Sequence, residues 1–280
     1  MYPRSKCKLA VLPLFAAMLT GCSGSPDAYP VYNHPDDLKG KTIGVMLGWE
    51  SDFDITPVES QYKEVMRFDN FSDMVMALRF HKVDALLMDS IQMKTVEAMT
   101  TGIRHLEEPF SELGYLVTFG SQNQELCEDF NRFLEEYNTS PLHDEAVRCV
   151  SEFDGLEYNG PIVEATGTGE TLVIGYDILG FPRVMEDPET GKITGFDTLA
   201  LITWANERNY HLEFVGSTFD DVFMGLSSGK YDAGIGYYST GAASTHAAGG
   251  TFPSDPFELC QDYFLVADGE ITLTNSTLFD

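Results

Sequence analysis

Hydrophobic positions along this chain recur at two alternating spacings. Short apolar runs read as strands: Thr42–Met46 and Val83–Met88 in the first half, then Leu172–Tyr176, Leu212–Val215, Tyr231–Tyr237 and Tyr263–Val266 in the second. Between them the period lengthens to that of a helix. Met74, Ala77 and Leu78 share one face of a helix that Ser72 can cap. Leu126, Phe130, Phe133, Leu134 and Tyr137 repeat at i, i+4, i+7, i+8 and i+11, a stripe that faces a core. Further helices follow Asp197, with Leu199, Ile202 and Ala205 inward, and Thr218, with Val222, Phe223 and Leu226 inward. Strands alternating with amphipathic helices predict an α/β fold.

One phrase occurs twice. Leu78-Arg-Phe-His-Lys82-Val-Asp84-Ala85 matches Leu226-Ser-Ser-Gly-Lys230-Tyr-Asp232-Ala233, each at a helix end, a tight turn and a strand entry. The match in equivalent contexts indicates duplication. Between the halves, 154–170 carries Gly155, Gly160, Gly167, Gly169 and Pro161 with no apolar period and reads as a linker.

Composition narrows the function. With 43% hydrophobic and 12% aromatic residues the chain can build a core, and 17 Lys+Arg against 44 Asp+Glu give a net charge of −27. A surface this anionic repels phosphate backbones, so no nucleic-acid partner is expected. Glycine-rich phosphate loops are absent, and the six histidines have no metal-ligand spacing, so neither a cofactor nor a metal is expected. Of the cysteines, Cys127, Cys149 and Cys260 cannot all pair; one disulfide or buried free thiols remain open.

The start of the chain carries its own signal. Arg4, Lys6 and Lys8 precede the apolar run Leu9–Leu19, which is much shorter than the roughly 20 residues a spanning helix needs. Leu19-Thr-Gly-Cys22 resembles the bacterial lipobox, with an ordinary secretory signal as the alternative. Residues 1–22 are therefore expected to be a lipoprotein signal peptide and Cys22 the site of lipid attachment. Residues 23–36 follow as a tether, and the protein is expected outside the cytoplasmic membrane, anchored by acyl chains.

The two halves resemble the family 3 bacterial extracellular solute-binding proteins, the amino-acid-type receptors of ABC importers. Residues 171–280 look like the family's first lobe, with Val173-Ile-Gly-Tyr-Asp177, Gly191-Lys-Ile-Thr-Gly195-Phe196-Asp197, Leu226-x-x-Gly229-Lys230-x-Asp232 and Phe252-Pro-Ser-Asp-Pro256-Phe257. Residues 37–153 are similar to its second lobe plus C-terminal helix. They carry Asp37-Leu-Lys-Gly40-Lys41-Thr-Ile-Gly44-Val45-x-x-Gly48, Lys82-Val-Asp84-Ala85-x-x-x-Asp89 and Asn123 to Tyr137. The lobe order is swapped. The resemblance implies a two-lobed, type II periplasmic-binding-protein-like clamshell. It is expected either circularly permuted through 154–170 or fragmentary, each half then seeking a missing mate.

In such a fold the ligand sits at strand carboxyl ends, near helix N-termini. The resemblance then places Gly48, Trp49, Glu50, Ser51 and Asp89 on one side and Asp177, Phe181, Tyr237, Tyr238, Ser239 and Thr240 on the other. Asp89 takes the position that receives a ligand ammonium in the family; capping a helix over Ser90–Met99 is its other reading. The aromatics either cage a ligand or fill core beneath it.

Departures from the family matter as much. Its arginine for the ligand α-carboxylate is missing from Gly241-Ala-Ala-Ser-Thr-His246, and no Lys or Arg follows Lys230. Glu50 adds a negative charge opposite, and Arg183 is only a distant rescue. The expected ligand is thus an amine, a cation or an uncharged solute rather than a simple α-amino acid, delivered to an ABC transporter permease. The alternative is a decayed or partner-binding lipoprotein with no small-molecule ligand. Catalysis is not expected, because no nucleophile stands in a recognisable context.

Overall fold

The computed structural model describes residues 29–236, 238–240 and 249–274. In chain order the strands are β1 (Thr42–Met46), β2 (Glu64–Phe68), β3 (Ala85–Asp89), β4 (Thr100–His105), β5 (Ser111–Tyr115), β6 (Thr118–Phe119), β7 (Thr171–Asp177), β8 (Met185–Glu186), β9 (Ile193–Thr194), β10 (His211–Ser217), β11 (Ala233–Ile235), β12 (Phe252–Pro253) and β13 (Glu258–Leu273). The helices are α1 (Glu50–Ile55), α2 (Phe71–Arg79), α3 (Ser90–Met99), α4 (Gln124–Tyr137), α5 (Pro141–Glu152), α6 (Phe196–Glu207) and α7 (Phe219–Ser228).

Two sheets organise two lobes of a mixed α/β clamshell. The first runs β2-β1-β3-β13-β4, with β5 beside β13; the second runs β10-β7-β11-β6-β12. Both have one plan: three parallel strands, then an antiparallel strand, then a last one. In each sheet that antiparallel strand is laid down just after the chain arrives from the other lobe. β6 follows β5 into the second lobe, and β13 follows β12 back into the first. The two crossings run side by side, since the Ser254 amide donates to Val117 O (2.9 Å) and the Phe257 amide to Tyr115 O (3.0 Å). The halves therefore complete each other's sheets within one chain.

The repeated phrase has a shared structural role. His81 (φ 55°) and Gly229 (φ 75°) occupy the same left-handed turn position, which is costly for any residue but glycine. Three residues later the two aspartates pin the first strand of their lobes. Asp84 Oδ2 accepts from the Thr42 amide (2.9 Å), and Asp232 Oδ2 from the Val173 amide (2.8 Å).

Several elements differ from expectation in bounds or membership. β13 extends far beyond Tyr263–Val266 because three strands pair with it. It places 258–273 in the first sheet rather than with 171–257. Conversely, α4 and α5 of the first sequence block pack on α6, in the second lobe. Asn70, not Ser72, caps α2, its Oδ1 accepting from the Asp73 amide at 2.8 Å. β11 spans only Ala233–Ile235, and Tyr237 lies outside the described residues, as do Cys22 and His246.

The stripe on α4 buries Phe130, Phe133, Leu134 and Tyr137, each worth roughly 1.5–3 kcal/mol in removed apolar area. Phe130 and Phe119 meet Trp204 of α6 edge-on at 5.5 and 5.9 Å, which locks α4 and α6 onto the second sheet. The cysteine question resolves to three buried free thiols, Cys127, Cys149 and Cys260. Among the described residues no helix is long and apolar enough to cross a membrane.

Candidate functional site

The seam between the lobes is built from strand carboxyl ends. β1 ends in a turn whose Gly48 has φ 73°, a backbone that admits glycine without strain, and α1 begins at Glu50. β3 ends in Asp89, which begins α3; its Oδ1 accepts from the amides of Ile91 (2.8 Å) and Gln92 (3.1 Å). β7 ends in Asp177, whose Oδ1 turns back to the Leu179 amide at 3.0 Å. From β11 the chain continues to 238–240, which binds the first crossing: the Leu116 amide donates to Tyr238 O (3.0 Å) and the Thr240 amide to Gly114 O (2.9 Å).

The central charge is Arg183, wholly buried in the loop after β7. Its Nε lies 2.6 Å from Asp197 Oδ1 on α6, its Nη1 donates to Glu258 Oε1 at 2.9 Å, and its guanidinium sits 3.5 Å over the Tyr115 ring. Asp197 Oδ2 accepts from the Gly236 amide (3.1 Å). Burial lifts Asp197 to about 6 against the pull of Arg183, so it is a carboxylate at neutral pH. Arg183 is the sole buried Lys or Arg among the described residues, and two acids already claim it. The distant rescue for a ligand carboxylate is therefore charge-matched through Nε and Nη1, with Nη2 left without a hydrogen-bond partner.

A second group of acids has no such partner. Glu50, Asp89 and Asp262 are all buried. Burial, then the charges of Asp89 and Asp262, push the Glu50 carboxyl well above its ordinary range, against its own amide and the more distant Arg183. Asp89 rises to about 6 through burial, opposed by the Ile91 and Gln92 amides, Arg183 and the Tyr115 hydroxyl. Asp262 rises well above the usual carboxylate value through burial and the charges of Asp89 and Asp54. Neither Asp262 oxygen, nor Asp89 Oδ2, makes a well-formed hydrogen bond. Nor do three His, Cys, Asp or Glu side chains converge anywhere among the described residues as a metal ion would require.

The expected site residues divide between seam and core. Glu50 and Asp177 act on Tyr238, and Asp89 on Glu50: burial first, then the charges of Asp177, Asp220 and Glu50, hold the Tyr238 hydroxyl well above its usual value. Ser239 bridges to Tyr115, and Ser51 is buried in the first turn of α1. Trp49 is packed into the core, edge-on to Phe71 at 5.3 Å. Tyr238 lies flat on Phe219 at 5.0 Å, and Phe181 rests on Phe153 at 6.0 Å. The Gly48 amide donates to Asp52 Oδ2 (3.0 Å), whose other oxygen takes Arg67 Nε at 2.8 Å. Thr240 Oγ1 accepts from the Gly114 amide at 3.0 Å. Of two cavities of about 460 Å³, one lies elsewhere, beneath Ile162–Ala165, and one lies between α3, α5 and the start of β13, with Glu258 in its wall.

Asp262, Glu258 and Tyr115 are additions to the expected set. The signal for two of them was available: Glu258, Cys260, Asp262 and Phe264 share the buried face of β13 at a spacing of two.

No protein-family model matches the sequence, and a search of curated proteins finds no match. Among solved structures the chain is similar to ytmK from Bacillus subtilis, a probable amino-acid ABC transporter extracellular-binding protein (12% identity, 81% of this chain, 83% of that one, TM-score 0.44). It is similar to a phosphate-binding protein of a phosphate ABC transporter from Streptococcus pneumoniae (8%, 82% and 89%, 0.41). A third is the GluR0 ligand-binding core in complex with L-glutamate (11%, 86% and 87%, 0.38). Similarity this distant carries no ligand over to this chain.

Proposed function

We propose that this protein is a non-catalytic receptor that encloses a small cationic, amine or uncharged solute between its lobes and passes it to an ABC importer. In this reading acyl chains on Cys22 hold it outside the cytoplasmic membrane. The observation that supports the ligand class is the charge balance of the seam. Among the described residues the one buried cation is neutralised by Asp197 and Glu258, while Glu50, Asp89 and Asp262 have no cation of their own. A ligand carboxylate would enter a negative field without a donor pair, forfeiting charge-assisted bonds worth roughly 1.5–3 kcal/mol each. Closure works by differential contact: a solute that touches both lobes shifts the open–closed equilibrium toward the closed form.

Isothermal titration against amino acids, polyamines and quaternary amines tests the proposal. Heat from amines and none from glutamate or glutamine is the expected pattern; tight glutamate binding overturns it. At 100 times its dissociation constant a true ligand adds about 2.7 kcal/mol of stability. A second reading, a remnant whose seam is filled by its own side chains, draws on Trp49 and Tyr238 being packed into core. It predicts no thermal shift with any solute.

A further inference from the structure

The seam holds more acid than its fixed cation can balance. Asp197 and Glu258 are matched by Arg183; Glu50 from α1, Asp89 from β3 and Asp262 from β13 are not. Arg183, already matched by Asp197 and Glu258, is the one cation that acts on Glu50 and Asp89 among the described residues, and the other elements packed around them add either further negative potential or no charge. α1 also brings Asp54, β5 brings Ser111 and Tyr115, β13 brings Cys260, and across the seam stand Tyr238 and Asp177, with Asp220 of α7 beyond. Asp89 Oδ2 and both Asp262 oxygens, in fully buried side chains, make no well-formed hydrogen bond, and the nearby hydroxyls of Tyr115 and Ser111 only partly offset their burial. Ser239 Oγ, on the facing segment, is likewise buried without a partner. A closed, dry seam cannot keep three neighbouring carboxylates ionised; something positive must enter, or protons must.

We infer that protons and a cationic solute compete for the same three carboxyls: closure of the empty protein takes up protons on Glu50, Asp89 and Asp262, and an organic ammonium ligand enters in exchange for them. The inference rests on the receptor reading for its ligand half and is independent of it for its empty half. The proton balance is explicit. In the empty closed form burial keeps protons on Glu50 and Asp262 to well above the ordinary carboxylate range, and on Asp89 up to about pH 6. When the ammonium group occupies the seam it supplies the counter-charge, the carboxyls ionise, and their protons leave to solvent. Opening the lobes hydrates the carboxyls, whose ordinary pKa near 4 leaves them ionised at neutral pH. Rising pH therefore opens the empty protein, and a cationic solute closes it again.

The direct test uses small-angle scattering on the ligand-free mature chain at pH 5 and pH 8. The expected result is a larger radius of gyration at pH 8, and an unchanged, compact radius for E50Q/D89N/D262N at both values. Asn retains the oxygen that caps α3, and E50Q alone serves as a milder check, shifting the opening transition to higher pH. Equal radii for the wild type at both pH values overturn the inference even if the protein binds solutes. The second arm titrates putrescine and choline by calorimetry at pH 7.5 in phosphate and in Tris. Binding heats that differ with the ionisation enthalpy of the buffer, by an amount that reports protons released, support the exchange. Binding with identical heats in both buffers, or binding of neutral solutes alone, overturns the exchange while the receptor stands. A pH-dependent radius with no heat from any solute fails the receptor and leaves the proton-driven closure.

Discussion

Two acidic neighbourhoods meet at the seam, and they solve the same problem differently. Around Arg183 the solution is internal: one guanidinium, two carboxylates, an amide from Gly236 and the face of Tyr115 balance the charge among themselves, with only the guanidinium Nη2 left over. Around Glu50, Asp89 and Asp262 the described residues supply backbone amides and hydroxyls and only the more distant pull of the already matched Arg183. The first arrangement holds its parts together; the second leaves an opening for chemistry from outside. The contrast teaches that buried charge alone does not mark a site. The unbalanced remainder does.

The sharpest way to break the comparison is Arg183→Met. Leaving Asp197 and Glu258 buried without their partner should cost about 3–5 kcal/mol, measured as a lower denaturation midpoint in urea. Asp89→Asn attacks the other side and should act in the opposite direction. The folded pKa of Asp89 lies at about 6, above the ordinary 3.9, so its penalty is absent below pH 4, grows as pH rises and is complete above 6. The variant should match wild type at pH 4 and exceed it by on the order of 2 kcal/mol at pH 8, a difference readable in paired melts. Asp52→Ala releases the Gly48 amide and Arg67 together. A loss of about 1 kcal/mol is expected, since Arg67 is part-exposed and screened by water. Smallest of all, Ser239→Ala should change stability by no more than about 0.5 kcal/mol, because its hydroxyl is buried without a partner and has nothing to lose. A large loss there would show an unseen donor or acceptor in the seam.

How much of this was legible in the sequence depended on range. Local signals read well. The α4 stripe, the Thr218 cap of α7 (Oγ1 accepting from the Asp221 amide at 3.3 Å) and the cores of β1 and β7 follow from period and capping chemistry alone. The doubled phrase correctly set Asp84 beside Asp232 as equivalents, though the task they share, pinning a strand amide, shows only in the folded chain. Long-range facts did not read. Four apolar residues at Tyr263–Val266 say nothing of a strand that runs from Glu258 to Leu273, because its length is set by partners from three other segments. Arg183 looked remote from the seam's chemistry, since nothing local ties it to Glu258, 75 residues on. Asp89 had two readings in the sequence; the helix-capping one is realised through Oδ1, and Oδ2 is left over for the other.

The paired crossings at Tyr115–Thr118 and Pro253–Glu258 have a consequence for how this molecule is assembled and inherited. Each lobe borrows a strand delivered by its twin, so neither is a portable module. Severed from its counterpart, either one would present a gap in the middle of its sheet rather than a finished edge. The pair must be synthesised, folded and retained as one interlocked unit, whatever order its pieces take along the polypeptide.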